Sequence, residues 1–155
     1  MEVIKPPRVK KPKYPTTMFL AGSIEMGSAV DWQSQVQESL KDRAVSIFNP
    51  RRDDWDSSWE QSIFNHDFRA QVEWEMAHLE AARYKVFYFA KDTKAPITLL
   101  ELGLMANKPG IMVCCPNGFW RKGNVDIVCK RYNIPTYTSL DQMIMILKTR
   151  FAGVV

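Results

Sequence analysis

What most limits the fold of this chain is its rhythm: short apolar runs of strand length alternate with segments whose apolar residues recur every three or four positions. Thr17-Met18-Phe19-Leu20-Ala21 is a continuous apolar run closed by Gly22, the mark of a buried strand. Val30, Trp32, Val36 and Leu40 then recur at helical spacing among polar residues, so an amphipathic helix is expected to about Asp42. Ala44 to Phe48 is a second strand, stopped by Asn49-Pro50. Residues 59–67 allow a short helix. Beyond them Phe68, Val72, Met76 and Leu79 mark a helix ending near Ala82, with these four on its buried face. Tyr84 to Phe89 reads as a strand, and Thr98 to Asn107 as a helix ended by Lys108-Pro109-Gly110. A strand at 110–115, a helix near 124–131, a short strand near Pro135-Thr136-Tyr137 and a C-terminal helix carrying Leu140, Ile144, Leu147 and Phe151 complete the series.

Strands alternating with helices predict right-handed βαβ units in an α/β fold. The expected architecture is a doubly wound sheet of about five mostly parallel strands, with helices on both faces. The unbroken apolar strands suit a sheet covered on both sides. In such sheets ligands bind beyond the carboxyl ends of the strands, where the chain order reverses. Three loops deserve scrutiny on that ground: 22–29, 49–58 and 90–98.

At 155 residues the chain has the size of one domain, and its 46% hydrophobic and 25% charged residues are ordinary for a soluble globular protein. No apolar run approaches the ~18 residues of a membrane span, and no apolar leader is present, so no membrane partner is expected. Cys114, Cys115 and Cys129 form a poor disulfide framework, and the adjacent pair sits in an apolar stretch. Core thiols in a reducing cytoplasm are expected. His66 and His78 lie at no metal-ligand spacing from a cysteine or from each other, which argues against a zinc site. The net charge of +4 resides in residues 1–15, where Lys5, Arg8, Lys10, Lys11 and Lys13 face Glu2 alone. Such a Pro/Lys-rich segment reads as a flexible, solvated tail ahead of a domain at 16–155. With no aromatic-rich basic motif, a nucleic-acid polymer is not an expected partner.

Chemistry-bearing residues gather in the three loops. Gly22 and Gly27 permit close backbone approach, and Ser23 and Ser28 offer hydroxyls to a polar ligand; a plain tight turn accounts for the loop equally well. Asn49-Pro50-Arg51-Arg52-Asp53-Asp54-Trp55-Asp56-Ser57-Ser58-Trp59 places two tryptophans among three aspartates and two arginines. Its aromatics suit stacking on a flat ring, and Arg51 or Asp54 suits hydrogen bonds to a base or sugar; the alternative is a salt-bridged Ω-loop. Thr98-Leu99-Leu100-Glu101 has the spacing of a capping box. Yet Glu101 stands among leucines at the mouth of the sheet. In a first helical turn the helix dipole would favour its charged form, as a carboxylate nucleophile requires. On the preceding helix Glu75 adjoins the core stripe and can approach Glu101, the alternative being a surface glutamate. Two neighbouring carboxyls shift each other's pKa, so one can hold a proton while the other stays charged.

Four segments together, Phe19-Leu20-Ala21-Gly22-Ser23-Ile24, Asn49-Pro50-Arg51-Arg52-Asp53-Asp54-Trp55, Gln71-Val72-Glu73-Trp74-Glu75 and Pro96-Ile97-Thr98-Leu99-Leu100-Glu101-Leu102-Gly103, resemble the nucleoside 2-deoxyribosyltransferase-like family and follow its order. The resemblance implies a flavodoxin-like fold and transfer of 2-deoxyribose between nucleobases through a covalent deoxyribosyl-glutamate, without cofactor or metal. It makes Glu101 the nucleophile, and Glu75 stands where relatives commonly carry Asp. Relatives carry a sugar-binding Asp six residues before the nucleophile; that position is Ala95 here, with Asp92 the nearest substitute. Gly22, Ser23, Arg51, Asp54 and Trp55 complete the expected substrate contacts, and Glu75 or Asp54 would protonate the leaving base. The implied partners are 2′-deoxynucleosides, free nucleobases and further copies of the chain, as a dimer or hexamer. The first loop also resembles that of related deoxynucleoside 5′-monophosphate N-glycosidases, but Glu25 in it points to an uncharged nucleoside. Two rivals remain: an N-glycosidase with water as acceptor, and a non-catalytic module that binds a nucleotide derivative.

Overall fold

The computed structural model describes residues 1–25 and 29–153. Gly27 and Ser28 of the first loop lie outside the described residues. The elements run β1 (Glu2–Ile4), β2 (Thr17–Gly22), α1 (Trp32–Ser39), β3 (Ser46–Phe48), α2 (His66–Ala81), β4 (Tyr84–Tyr88), α3 (Pro96–Met105), β5 (Ile111–Cys114), α4 (Lys122–Arg131), β6 (Thr136–Tyr137) and α5 (Leu140–Arg150). Six strands form one sheet in the order β1-β3-β2-β4-β5-β6, and every pairing is parallel. With β1 set aside, the order is that of a flavodoxin-like doubly wound sheet.

Alternation along each strand sorts the core into two layers. Met18 and Leu20 of β2, Val86 of β4 and Met112 of β5 point to one face, where Trp32 and Val36 of α1 and the capping Leu40 meet Met143 and Leu147 of α5. Phe19, Ala21, Phe87 and Val113 point to the other, covered by Trp74 and Leu79 of α2, Leu102 and Met105 of α3, and Val125 and Cys129 of α4. The adjacent Cys114 and Cys115 thus serve opposite layers, and burial pushes their thiols up to about 12 and about 11.

Two expectations are corrected. Residues 1–15 are not a solvated tail but a strand and a strap seated on the body. β1 pairs with β3, and Ile4 is fully buried. Glu2 accepts from Lys13 N at 2.8 Å and Ser46 Oγ at 2.8 Å and pairs with Lys10 at 2.6 Å; Lys10 above all holds its carboxyl at about 2. Further along, Trp74 Nε1 donates to Arg8 O at 2.7 Å, and Lys5 pairs with Asp53 at 2.7 Å. The second correction concerns α2. Residues 59–65 are turns and bends, and Asn65 caps α2 by accepting from Phe68 N at 2.9 Å. The buried residues of α2 are Gln71, Trp74 and Leu79, whereas Met76 is exposed and Phe68 and Val72 are half-buried.

Ile4→Ala is expected to cost about 2–5 kcal/mol, the ordinary cost of a buried isoleucine truncation, and to lower the urea midpoint. An unchanged midpoint would restore the solvated tail.

Candidate functional site

The chain order reverses between β2 and β4, so the loops leaving these two strands face one another. Their ends are riveted by Ser23, which is 2% exposed. Ser23 N donates to Tyr88 O at 3.1 Å, its Oγ accepts from Ala90 N at 3.1 Å, and the same Oγ lies 2.7 Å from Thr93 Oγ1. Gly22 admits the Trp32 ring: a Cβ there would stand 2.5 Å from Trp32 Cζ2 and 2.6 Å from Tyr88 O. Both residues thus position the mouth by packing and hydrogen bonding.

Across this junction the first loop caps the third. Glu25 Oε1 accepts from Ala95 N at 3.0 Å, immediately ahead of α3. Glu25 and Ala95 both have φ near +46°, left-handed backbone that costs non-glycine residues roughly 1–3 kcal/mol. α3 starts at Pro96, and no side chain of its own caps it. Thr98 therefore lies inside the helix, and the capping-box reading of Thr98 and Glu101 is corrected. Glu101 sits in the second turn, beyond the part where the dipole best favours an anion. Its environment acts the other way: burial first, and the nearby Glu75 second, push its carboxyl up to about 8.

Glu75, half-buried on α2, lies near enough to act on Glu101, and burial raises its own carboxyl to about 7 against an opposing hydrogen bond from Gln71. Gln71 Nε2 donates to Glu75 Oε1 at 2.6 Å and to Pro50 O at 3.3 Å. Arg52 reaches Gln71 Oε1 at 3.4 Å, grips Asp54 through two bonds of 2.9 and 3.0 Å, and lies 5.0 Å from the Trp59 ring, which meets Trp55 edge-on at 5.2 Å. The polar-aromatic loop is thereby wired to the carboxyl pair through Arg52 and Gln71. Neither residue was singled out from sequence, although Gln71 and Glu75 stand at i, i+4 on one helix face.

The remaining expected contacts divide. Arg51 braces the first loop, donating to Ala29 O at 3.0 Å. Trp55 is half-buried, and its buried indole N–H finds no acceptor among the described residues. Asp54 is exposed, and Arg52 holds its carboxyl below the usual range, so it stays charged and is removed as a proton donor. Asp92 lies exposed in the turn after β4 with no hydrogen bond or ion pair to a described residue. Among the described residues no cluster of three or more His, Cys, Asp or Glu is placed to hold a metal ion.

The family model for "nucleoside 2-deoxyribosyltransferase like" proteins matches residues 15–119, a span that contains both glutamates. The chain belongs to this family. No curated protein shows significant sequence similarity to it. Among solved structures, a crystal structure of a conserved protein from Enterococcus faecalis V583 superposes with a TM-score of 0.58 at 12% identity, covering 87% of this chain and 98% of that one. At that identity the likeness concerns the fold. The family description speaks for nucleoside substrates and glycosyl transfer, and no helix among the described residues is long and apolar enough to cross a membrane.

The buried pair has a consequence for stability. A carboxyl whose pKa is raised by folding stabilises the protein fully below its unfolded value and loses that contribution as pH rises through the folded value. Here the loss falls between about 4.5 and about 8. Glu101→Gln removes one ionisable group, so the variant is expected to be more stable than wild type at pH 9 by about 1–3 kcal/mol, with little difference at pH 5. Denaturant curves at the two pH values measure this; equal destabilisation at both would mean that Glu101 is a structural hydrogen-bond acceptor.

Proposed function

We propose that the protein transfers 2-deoxyribose between nucleobases by double displacement, with Glu101 as nucleophile and Glu75 as proton carrier. The supporting observation is the neighbouring pair of carboxyls, which burial pushes up to about 7 and about 8, so that one proton can pass between them near neutral pH. Either carboxyl of the pair can carry that proton before the sugar binds. Positive charge developing at C1′ beside Glu101 favours its anion and moves the proton to Glu75. Glu101 then attacks C1′ as the C1′–N bond breaks, and Glu75 gives its proton to the departing base. The product is a deoxyribosyl ester of Glu101 and a neutral base. In the return step Glu75 takes the N–H proton of a second base as that nitrogen attacks C1′ and frees the Glu101 carboxylate. The Trp55/Trp59 loop, linked to Glu75 through Arg52 and Gln71, is an aromatic wall suited to hold either base. Gly22, Ser23 and Arg51 keep the mouth in shape, and this reading assigns Asp92, in the turn after β4, as the sugar contact. The free thiols of Cys114, Cys115 and Cys129 suit a cytoplasmic setting.

The deciding assay is incubation with a 2′-deoxynucleoside and a different free base. The swapped nucleoside is expected to form faster than free deoxyribose. Free sugar as the only product at every base concentration would replace the transferase with an N-glycosidase, and binding without turnover would make the protein a sensor. Because the competent pair carries one proton, turnover should be bell-shaped in pH with its maximum between about 7 and about 8. Glu75→Gln should slow turnover by about 10²–10⁴ and flatten that profile.

The same reading has the protein working as a homo-oligomer. A groove of about 520 Å³ on the outer face of α2 is lined by Ile63, Phe68, Val72 and Met76 and rimmed by Arg69, Glu73 and Glu80. A two-fold axis across α2 would bury this stripe against itself and bring each Arg69 toward acids of the other copy. Met76→Glu is expected to shift the mass seen by light scattering to that of a monomer. A wild-type protein that is already monomeric at micromolar concentration would refute this part.

A further inference from the structure

The side-chain amide of Gln71 is 3% exposed and stands between the 49–59 loop and Glu75. Its neighbours leave it one orientation. Arg52 carries only donors, and its Nη1 donates to Gln71 Oε1 at 3.4 Å. Pro50 O is only an acceptor, and Gln71 Nε2 donates to it at 3.3 Å. A flipped amide would set its NH2 group against the guanidinium and its oxygen against the carbonyl, so both neighbours reject that arrangement. The other Nε2 hydrogen is then directed at Glu75 Oε1, 2.6 Å away. Arg52 is itself held, because its Nε and Nη2 donate to the two oxygens of Asp54 at 2.9 and 3.0 Å, which leaves Nη1 for Gln71. Asp54, removed as a proton donor, thus returns as the group that aims Arg52.

This chain of donors makes the two oxygens of Glu75 unequal. In a neutral carboxyl the carbonyl oxygen is the better acceptor, so the oxygen that takes the Gln71 hydrogen is the poorer seat for a proton. Glu75 Oε2 makes no hydrogen bond to a described residue. When Oε2 gives up its proton, the new negative charge spreads to Oε1, where the amide hydrogen is already in place. Arg52 strengthens that donor by polarising the amide from its oxygen end. Glu101 faces the acid from α3, while Arg52, with Asp54 and Asp67 around it, stands on the far side of Gln71.

We infer that Gln71 is a positioning residue: its amide, locked by Arg52 and Pro50 O, donates to Glu75 Oε1 and so makes Oε2 the atom from which Glu75 hands its proton to the leaving base. The hand-off rests on the proposed function; the amide lock rests on the hydrogen bonds alone. In the step the O–H bond of Oε2 breaks and leaves its electron pair on the carboxylate. The proton joins the base as the C1′–N pair passes to that base.

The test uses the full chain with carbon-13 in the glutamate carboxyls and nitrogen-15 in the glutamine amides, titrated without substrate from about pH 5 to about pH 9. Glu75→Gln assigns the Glu75 carboxyl, and triple resonance assigns the Gln71 amide. In the wild type the Gln71 amide protons are expected to follow the Glu75 titration and to move downfield as it ionises, a reading that requires no variant at Gln71 to fold. Gln71→Met is expected to raise the Glu75 carboxyl by about one to two pH units, the scale of one hydrogen bond to a charged group. A fall would mean that the amide accepts from Glu75, and that overturns the proposal, as would wild-type amide protons indifferent to Glu75. In turnover Gln71→Met should lower kcat at least about tenfold, keep KM within about twofold and carry the alkaline limb of the pH profile upward. An unmoved limb overturns the positioning role. A wild type without turnover refutes the proposed function and the hand-off with it, while the titration still decides the amide lock.

Discussion

The site depends on the parallel pairing of β2 with β4, because that is where the chain reverses direction across the sheet. Residues 18–22 lie beside 84–88 in register, so the two loops that leave these strands must share one volume. Ser23 completes the join with three hydrogen bonds, and Gly22 lets the Trp32 ring close beneath it. A larger side chain at Gly22 would collide with backbone and ring together, so the tight approach specifies glycine for a steric reason. Everything at the mouth is measured from this seam: the Glu25 cap on α3, the second-turn position of Glu101, and the arrival of α2 with Glu75.

The enclosed carboxyls are held at a cost to stability. Taking two ionisable groups out of water favours their neutral forms, and each also resists the ionisation of the other. Gln71 offsets part of this by donating to Glu75, and Gln71 is in turn held by Pro50 O and Arg52. A buried polar network of this kind is stable only when its members find partners, which explains why α2 turns a glutamine and a glutamate inward. The strained backbone at Glu25 and Ala95 adds to the cost on the other side of the mouth.

The order of strands and helices could be read along the chain because parallel strands covered on both faces must be continuously apolar. The runs at 17–22 and 111–114 come close to that requirement, whereas β4 carries a buried Lys85 that donates to Ala82 O and β3 starts at Ser46, which donates to Glu2. β1 escaped notice for the opposite reason. It is three residues long, and its Glu2 is neutralised by Lys10 from a segment that composition marks as solvated. On α2 the periodic stripe Phe68, Val72, Met76 is real but turns outward, while the buried side mixes Trp74 and Leu79 with Gln71. Hydrophobic period identifies a helix; it does not say which of two stripes faces the sheet when the buried one carries polar groups. The capping motif at Thr98 misled likewise, since α3 receives its cap from Glu25, seventy residues earlier in the chain.

The sequence by itself determined the alternation of elements, the doubly wound class and the two glutamates as chemical candidates, because burial on both faces and residue type are written locally. Only the tertiary structure decided that Glu75 comes near Glu101, that Asp54 stays charged beside Arg52, and that the N-terminal segment is part of the fold. The physical reason is common to all three. A carboxyl's protonation and a strand's pairing depend on neighbours far away in the chain, and proximity across a sheet seam is a property of the packed molecule.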